Sequence, residues 1–153
     1  MALFFEDLHV GQSFSTAGRT ITETDLVLFA GITGDNSPLH TDEEHSRESP
    51  FGQRLVHGML TVSIALGLAS RTLIFDGTGV AFLGIDALRF REPVFLGDTV
   101  TCRFSITSLR RTKQGDRGVV VRHVELSNQK AAVAVDFSIT GLVLARPTTE
   151  PVL

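Results

Sequence analysis

Apolar and polar residues alternate strictly along Thr99 to Leu109, where Val100, Cys102, Phe104 and Ile106 are interleaved with Thr101, Arg103, Ser105 and Thr107. A period of two puts each set on its own side of an extended chain, so the stretch predicts a strand with one face on a core. Ala131 to Thr140 repeats the pattern, with Val133, Val135, Phe137 and Ile139 set against Ala134, Asp136, Ser138 and Thr140. Between them Val119 to Leu126 predicts a return strand, entered through the turn-forming run TKQGDRG at Thr112 to Gly118. A further strand is expected over Val80 to Arg91.

The N-terminal half follows another period. Gly11 to Gly18 predicts a short strand and a turn. Thr22 and Asp25 stand at the spacing of a capping pair, and Leu26, Phe29 and Ala30 recur at helical intervals, which predicts a helix to about Thr33. Thr41 to Ser49 is polar and charged, as in a solvated helical turn, and Pro50 and Gly52 mark a break before Val56. From His57 to about Phe75 apolar residues occupy nearly every side of a helical projection, so that helix is expected to be enclosed. Its uncharged stretch, Gly58 to Ser70, is too short to cross a bilayer, which takes about 20 residues.

Helices in the first half and consecutive hairpin-linked strands in the second predict an α+β fold with an antiparallel sheet wrapped around the long central helix. An open sheet protects only part of such a helix, so a second copy is expected as the remaining cover, giving a homodimer or a higher homo-oligomer. With 153 residues, 42% of them hydrophobic, the chain has material for one core. One domain is expected over residues 1–146, with a tail at 147–153.

Charge narrows the partners. A net charge of −3 offers no basic footprint, so neither nucleic acid nor a membrane is an expected partner. The single Cys102 cannot pair within the chain, and the start of the sequence lacks the pattern of a secretory leader, so a reducing cytoplasmic location is expected.

Against this background the run GDNSPLH, Gly34 to His40, carries the chemistry. As a local feature it suits a turn, because Gly, Asp, Asn, Ser and Pro each favour one. It also places a carboxylate, Asp35, five residues before an imidazole, His40. On a continuous helix those side chains would face apart; Pro38 interrupts regular structure and lets both reach one water molecule. Metal binding by His40, His45 and His57 with Asp42 matches no ligand spacing, and no metal is expected. His45 reads as a surface residue, and His9 and His123 carry no motif.

The segments ITETDLVLFAGITGDNSPLHTDEE, PFGQRLVHGMLTVSIALG and LRFREPVFLGDTV together resemble the MaoC-like dehydratases, the hot-dog-fold family that includes the (R)-specific enoyl-CoA hydratases. The resemblance covers roughly residues 4 to 145. Two positions depart from it: Ser37 stands where the family usually has Asn, with Asn36 beside it, and Leu66 stands where some hydratases carry a polar residue.

The resemblance implies reversible addition of water to a 2-enoyl-CoA thioester, giving a 3-hydroxyacyl-CoA of R configuration. That reaction needs a base for the water, an acid for the α carbon and donors for the thioester oxygen. Asp35 and His40 match the first two roles. Gly58, at the start of the apolar helix, offers an open N–H at the positive end of the dipole. His57, Met59, Asn36 and Ser37 complete the expected oxyanion and substrate-binding set, with His57 read as a helix-start residue rather than a catalyst. Arg110, Arg111 and Lys113, with Arg117 in the same basic hairpin, are candidate contacts for CoA phosphates. No cofactor is expected beyond the CoA of the substrate. The alternatives are an acyl-CoA thioesterase on the same fold and a non-catalytic module that binds acyl thioesters.

Overall fold

A computed structural model of the chain describes residues 2–147. The expected tail at 147–153 lies outside them except for Pro147. In chain order the elements are a 3-10 turn at Phe5–Asp7, β1 (Ser13–Ser15), β2 (Arg19–Thr20), α1 (Glu23–Thr33), α2 (Pro38–Thr41), α3 (Glu43–Arg47), α4 (Gly58–Ser70), β3 (Gly79–Phe90), β4 (Thr99–Arg111), β5 (Arg117–Ser127) and β6 (Val133–Leu144).

The strands form one antiparallel sheet in the order β1, β4, β5, β6, β3, with β2 also pairing to β4. Alternation does what the pattern predicts in β4: Val100, Cys102, Phe104 and Ile106 are buried. Opposite them across β5 and β6 lie Val124, Leu126, Phe137 and Ile139, and α4 lays Leu60, Ile64 and Leu68 into the same cluster. Each such side chain stabilises the fold by about 1.5–3 kcal/mol through burial. A sheet curled over an apolar helix is the hot-dog arrangement, in the α+β class expected from the sequence.

Two boundaries and the facing of one residue differ from expectation. The central helix ends at Ser70 rather than near Phe75, because Arg71 to Phe75 turn away and Leu73 adopts a left-handed backbone with φ of 57°. β6 begins at Val133, since Ala131 is also left-handed, at φ 60°, and its N–H is tied to the Asn128 carbonyl in a turn. Ala134, expected on the outer face, is buried, and its carbonyl accepts the N–H groups of Arg91 and Glu92.

The strand β3 closes one edge of the sheet; Ile85 and Leu88 pack on the core, and its other large apolar residues stay uncovered. Val80, Phe82, Leu83 and Phe90 are all at least 42% exposed. No helix among the described residues is long and apolar enough to cross a membrane.

Candidate active site

The site is built where α1 hands the chain to α2. Thr22 and Asp25 cap α1 reciprocally, as their spacing predicts, and Asp25 also pairs with Arg19. At the other end Gly34 takes φ 75° and its N–H returns to the Ala30 carbonyl at 2.8 Å, a left-handed cap that a side chain would strain. The chain therefore turns out of the helix at Asp35.

Pro38 does not break the structure, as the sequence suggests, but starts it. It occupies the first position of α2, where a missing N–H costs nothing, and the turn carries His40. Ser37 caps this turn from outside: its carbonyl accepts the N–H of His40 at 2.9 Å. Its own N–H reaches Asp35 Oδ1 at 3.4 Å. Asn36 folds back on the Gly34 carbonyl through its side-chain amide. These exposed residues shape the loop around Asp35.

A second segment, Arg54 to His57, locks the first. Leu55 N–H donates to the Leu39 carbonyl at 3.1 Å, and Val56 N–H to Val94 at 2.9 Å. His40 Nδ1 lies 2.8 Å from the Leu55 carbonyl. A carbonyl only accepts, so the proton sits on Nδ1 and Nε2 is left free for chemistry. Arg54 braces both sides, with Nη1 and Nη2 at 2.9 and 2.6 Å from Glu23 on α1 and Nε at 2.8 Å from Glu43 on α3.

His57 is the residue that sequence reasoning undervalues. It precedes α4 as the N-cap yet makes no capping hydrogen bond, and it is 1% exposed. Its Nε2 meets the Asp35 carbonyl at 3.0 Å, so that nitrogen carries the proton, and its Nδ1 is buried without a partner. Its ring stacks on His40 with centroids 3.9 Å apart, and the Phe29 ring lies 5.0 Å from it, tilted by 56°. An imidazole where Ser, Thr, Asp or Asn is usual was the available signal.

One potential ligand atom from each of Asp35, His40 and His57 falls within 4.8 Å of the others, while His45 and Asp42 belong elsewhere: Asp42 caps α3 through the His45 N–H. As a metal cage the trio is poor. His40 Nδ1 and His57 Nε2 are committed to carbonyls and His57 Nδ1 is sealed, which leaves two open donors where a structural zinc takes four.

His40 and Gly58 line a common cleft of about 340 Å³ with Thr61, Phe90, Val94 and Ala134. Gly58 is the first residue of α4, whose opening N–H groups have no side-chain cap. A Cβ on Gly58 would stand 2.9 Å from the Phe90 ring, so only glycine fits under it undisturbed. Met59 is half exposed on the outer side of that turn.

The basic hairpin sits apart. Arg111 pairs with Glu6 and Arg117 with Asp116, while Arg110 and Lys113 are exposed. Arg111 lies opposite Gly118, which pairs with Val143, whereas the cleft borders Val135. Eight residues of β6 separate those levels, about 26 Å at strand rise. Within one chain the hairpin and the Asp35–His40 pair occupy opposite ends of the sheet.

Comparison with known proteins agrees with this geometry. The chain is 38% identical over 106 residues to an (R)-specific enoyl-CoA hydratase of Rhodospirillum rubrum, covering 69% of this chain and 71% of that one. It is 33% identical over 130 residues to the (R)-specific enoyl-CoA hydratase of Aeromonas caviae, covering 85% and 91%. The crystal structure of a MaoC-like dehydratase from Rhodospirillum rubrum superposes with a TM-score of 0.86 at 29% identity, over 95% of this chain and 99% of that one. A family model described as MaoC like domain matches residues 6–129, and with an acid and an imidazole set against the mouth of the enclosed helix, the chain belongs to that family.

Proposed function

We propose that the protein is a hydratase and dehydratase of 2-enoyl-CoA thioesters, adding water reversibly to give a 3-hydroxyacyl-CoA of R configuration. One observation carries the reading. His40 spends Nδ1 on the Leu55 carbonyl, which leaves Nε2 free; one of its ring nitrogens lies within 4.8 Å of an Asp35 carboxylate oxygen, and His40 lines a cleft that also holds the open N-terminus of α4.

In this mechanism the thioester oxygen lies against the Gly58 N–H, where the helix dipole and the unpaired donor stabilise the enolate-like charge of the transition state. Ionised Asp35 accepts a proton from the attacking water as its oxygen bonds to C3. His40 gives a proton from Nε2 to C2, which requires it to enter the step as imidazolium, since Nδ1–H is held by Leu55. Proton transfer from Asp35 to His40 then restores the pair, and dehydration is the same path reversed. Asn36, Ser37 and His57 hold the geometry, and Met59 borders the substrate. Arg110, Arg111 and Lys113 are proposed CoA phosphate contacts, for which the partner subunit of a dimer would have to bring the hairpin to the cleft.

Water and the thioester supply all the reacting atoms, so no cofactor beyond CoA is proposed. The apolar edge strand β3 supports a homodimer, because a long uncovered hydrophobic edge is a template for a second copy. A single buried thiol and a CoA substrate suit the reducing cytoplasm.

The test is loss of enoyl absorbance from crotonyl-CoA and from a longer 2-enoyl-CoA. Wild type is expected to hydrate at least one, and Asp35→Asn and His40→Gln to lose roughly a hundredfold or more of the rate. Release of free CoA thiol without hydration would point instead to a thioesterase.

A further inference from the structure

At the far end of α4 from Gly58 the sheet and helix part to leave a cavity of about 740 Å³. Its walls include Leu66, Phe75, Phe104, Val124 and Ile139, and one cation, Arg122. The cation is out of pattern. Arg122 lies between Val120 and Val124 on the face of β5 that meets the core, and its cross-strand neighbours are Ile106 on β4 and Ile139 on β6.

Nothing among the described residues answers that charge. Among the described residues Arg122 forms no ion pair and no side-chain hydrogen bond. Its Nε is sealed from solvent without a partner, and the titratable group that influences it is the Cys102 thiol rather than any carboxylate. Burial pushes its pKa down, yet a guanidinium stays charged at neutral pH. The acid on the cavity wall, Asp76, is exposed and beyond ion-pair reach. Phe75 supports the guanidinium at 5.0 Å from its ring centroid. A Cβ on Gly141 would stand in van der Waals contact with Nη2, at 3.8 Å, so the glycine leaves that side of the guanidinium bare. A planar, supported fork with unused donors in an apolar chamber fits a carboxylate that arrives with a hydrocarbon chain attached.

We propose that this cavity is a binding site for a carboxylate carried on an aliphatic chain, with Arg122 as its cation. Two sources share that chemistry: the far end of a dicarboxylic enoyl thioester, or a free fatty acid.

The binding test is calorimetry of the full chain with octanoate and with 1-octanol. Octanoate is expected to bind wild type roughly ten- to a hundredfold more tightly, Arg122→Met to bring the two to parity, and Arg122→Lys to retain part of the preference. Parity in wild type, as would follow if a second copy already neutralised Arg122, overturns the proposal; so does a preference that survives Arg122→Met. If Arg122→Met fails to fold, the Nε and Cζ resonances of Arg122 in wild type decide, moving with octanoate and not with 1-octanol if the proposal holds. None of these measurements depends on turnover, so they stand or fall apart from the hydratase reading.

A kinetic arm rests on that reading and identifies the source. A kcat/KM preference for 2-decenedioyl-CoA over 2-decenoyl-CoA, lost in Arg122→Met, assigns the carboxylate to the acyl tail. Octanoate binding without that preference assigns it to a free fatty acid.

Discussion

The His57 ring lies on the His40 ring, 3.9 Å between centroids and 27° from parallel, while its Nε2 holds the backbone carbonyl of Asp35. One buried side chain thus touches both members of the acid–base pair. It positions them, since its own proton is spent on Asp35 and its other nitrogen is sealed.

His57→Phe keeps a ring against His40 and removes the hydrogen bond to Asp35. It also removes a buried lone pair that has no donor, so stability is expected to change by no more than about 1 kcal/mol. Turnover is a different matter, because misplacing a reacting group by about 1 Å costs on the order of a hundredfold. Expected are a fall of roughly ten- to a hundredfold in kcat, little change in KM and a melting temperature within about 5 °C of wild type. Unaltered kcat in a folded variant would reduce His57 to packing.

Arg54 clamps the segment that bears the pair from both sides, through Glu23 and Glu43. Hydrogen bonding to Arg54 holds the Glu23 carboxyl below its ordinary value of 4.5. A depressed folded-state value contributes stability above the unfolded one and loses it as pH falls through the folded one, so the clamp is complete at neutral pH and weakens below about 4.5. Both acids are about half exposed, and solvent screening limits the effect to about 1 kcal/mol. Arg54→Met is expected to unfold at slightly lower denaturant at pH 7, and the gap from wild type to shrink at pH 3.5. A constant gap across that range would show that the ion pairs contribute nothing.

Much of this architecture was legible because the strands keep their period. Val100 to Ile106 alternate without interruption, and burial follows residue by residue. Thr22 with Asp25 gave away the start of α1 for an equally local reason. The misreadings share another cause. Thr72 to Phe75 remain apolar enough to extend a helix on paper, yet Leu73 is left-handed, and Ala134 looks outward by parity until the Arg91–Glu92 segment covers it. Asp35 and His40 were visible as a motif, but the contacts that set them, His57 on Asp35 and Leu55 on His40, join residues 22 and 15 apart and leave no trace in local spacing. Arg122 was hidden differently: a charge within Val119 to Leu126 is unremarkable until the register turns it inward.

Cys102 should be inert in the folded protein. Burial pushes its thiol up to about 12, so near pH 8 only about one molecule in ten thousand is thiolate, the form that reacts. A thiol-reactive disulfide reagent is expected to label nothing in native protein over hours and one equivalent in denaturant. Fast native labelling would mean that β4 opens readily.

The edge strand β3 makes the dimer testable. Phe82 and Leu83 are 55% and 53% exposed where the pairing of β3 with β6 bulges, so the edge presents two large apolar side chains. Phe82→Lys with Leu83→Glu places charges where a second copy would dock. Light scattering is expected to give a dimer for wild type and a monomer for the double variant. A monomeric wild type at micromolar concentration would remove the dimer and with it any route from the basic hairpin to the cleft.

Gly58 separates space from chemistry. Gly58→Ala drives a methyl to within 2.9 Å of Phe90, but that ring is 54% exposed and can swing outward, so the fold is expected to survive with its melting temperature lowered by only a few degrees. The methyl then stands beside the N–H that the thioester oxygen needs, and a compromised oxyanion donor costs roughly a hundred- to a thousandfold in kcat. Adding Phe90→Ala makes room for the methyl and is expected to restore the melting temperature without restoring turnover, since the N–H stays crowded. If the double variant regains full activity, the loss came from the displaced ring and Gly58 serves packing. A folded, fully active Gly58→Val would remove the oxyanion role altogether.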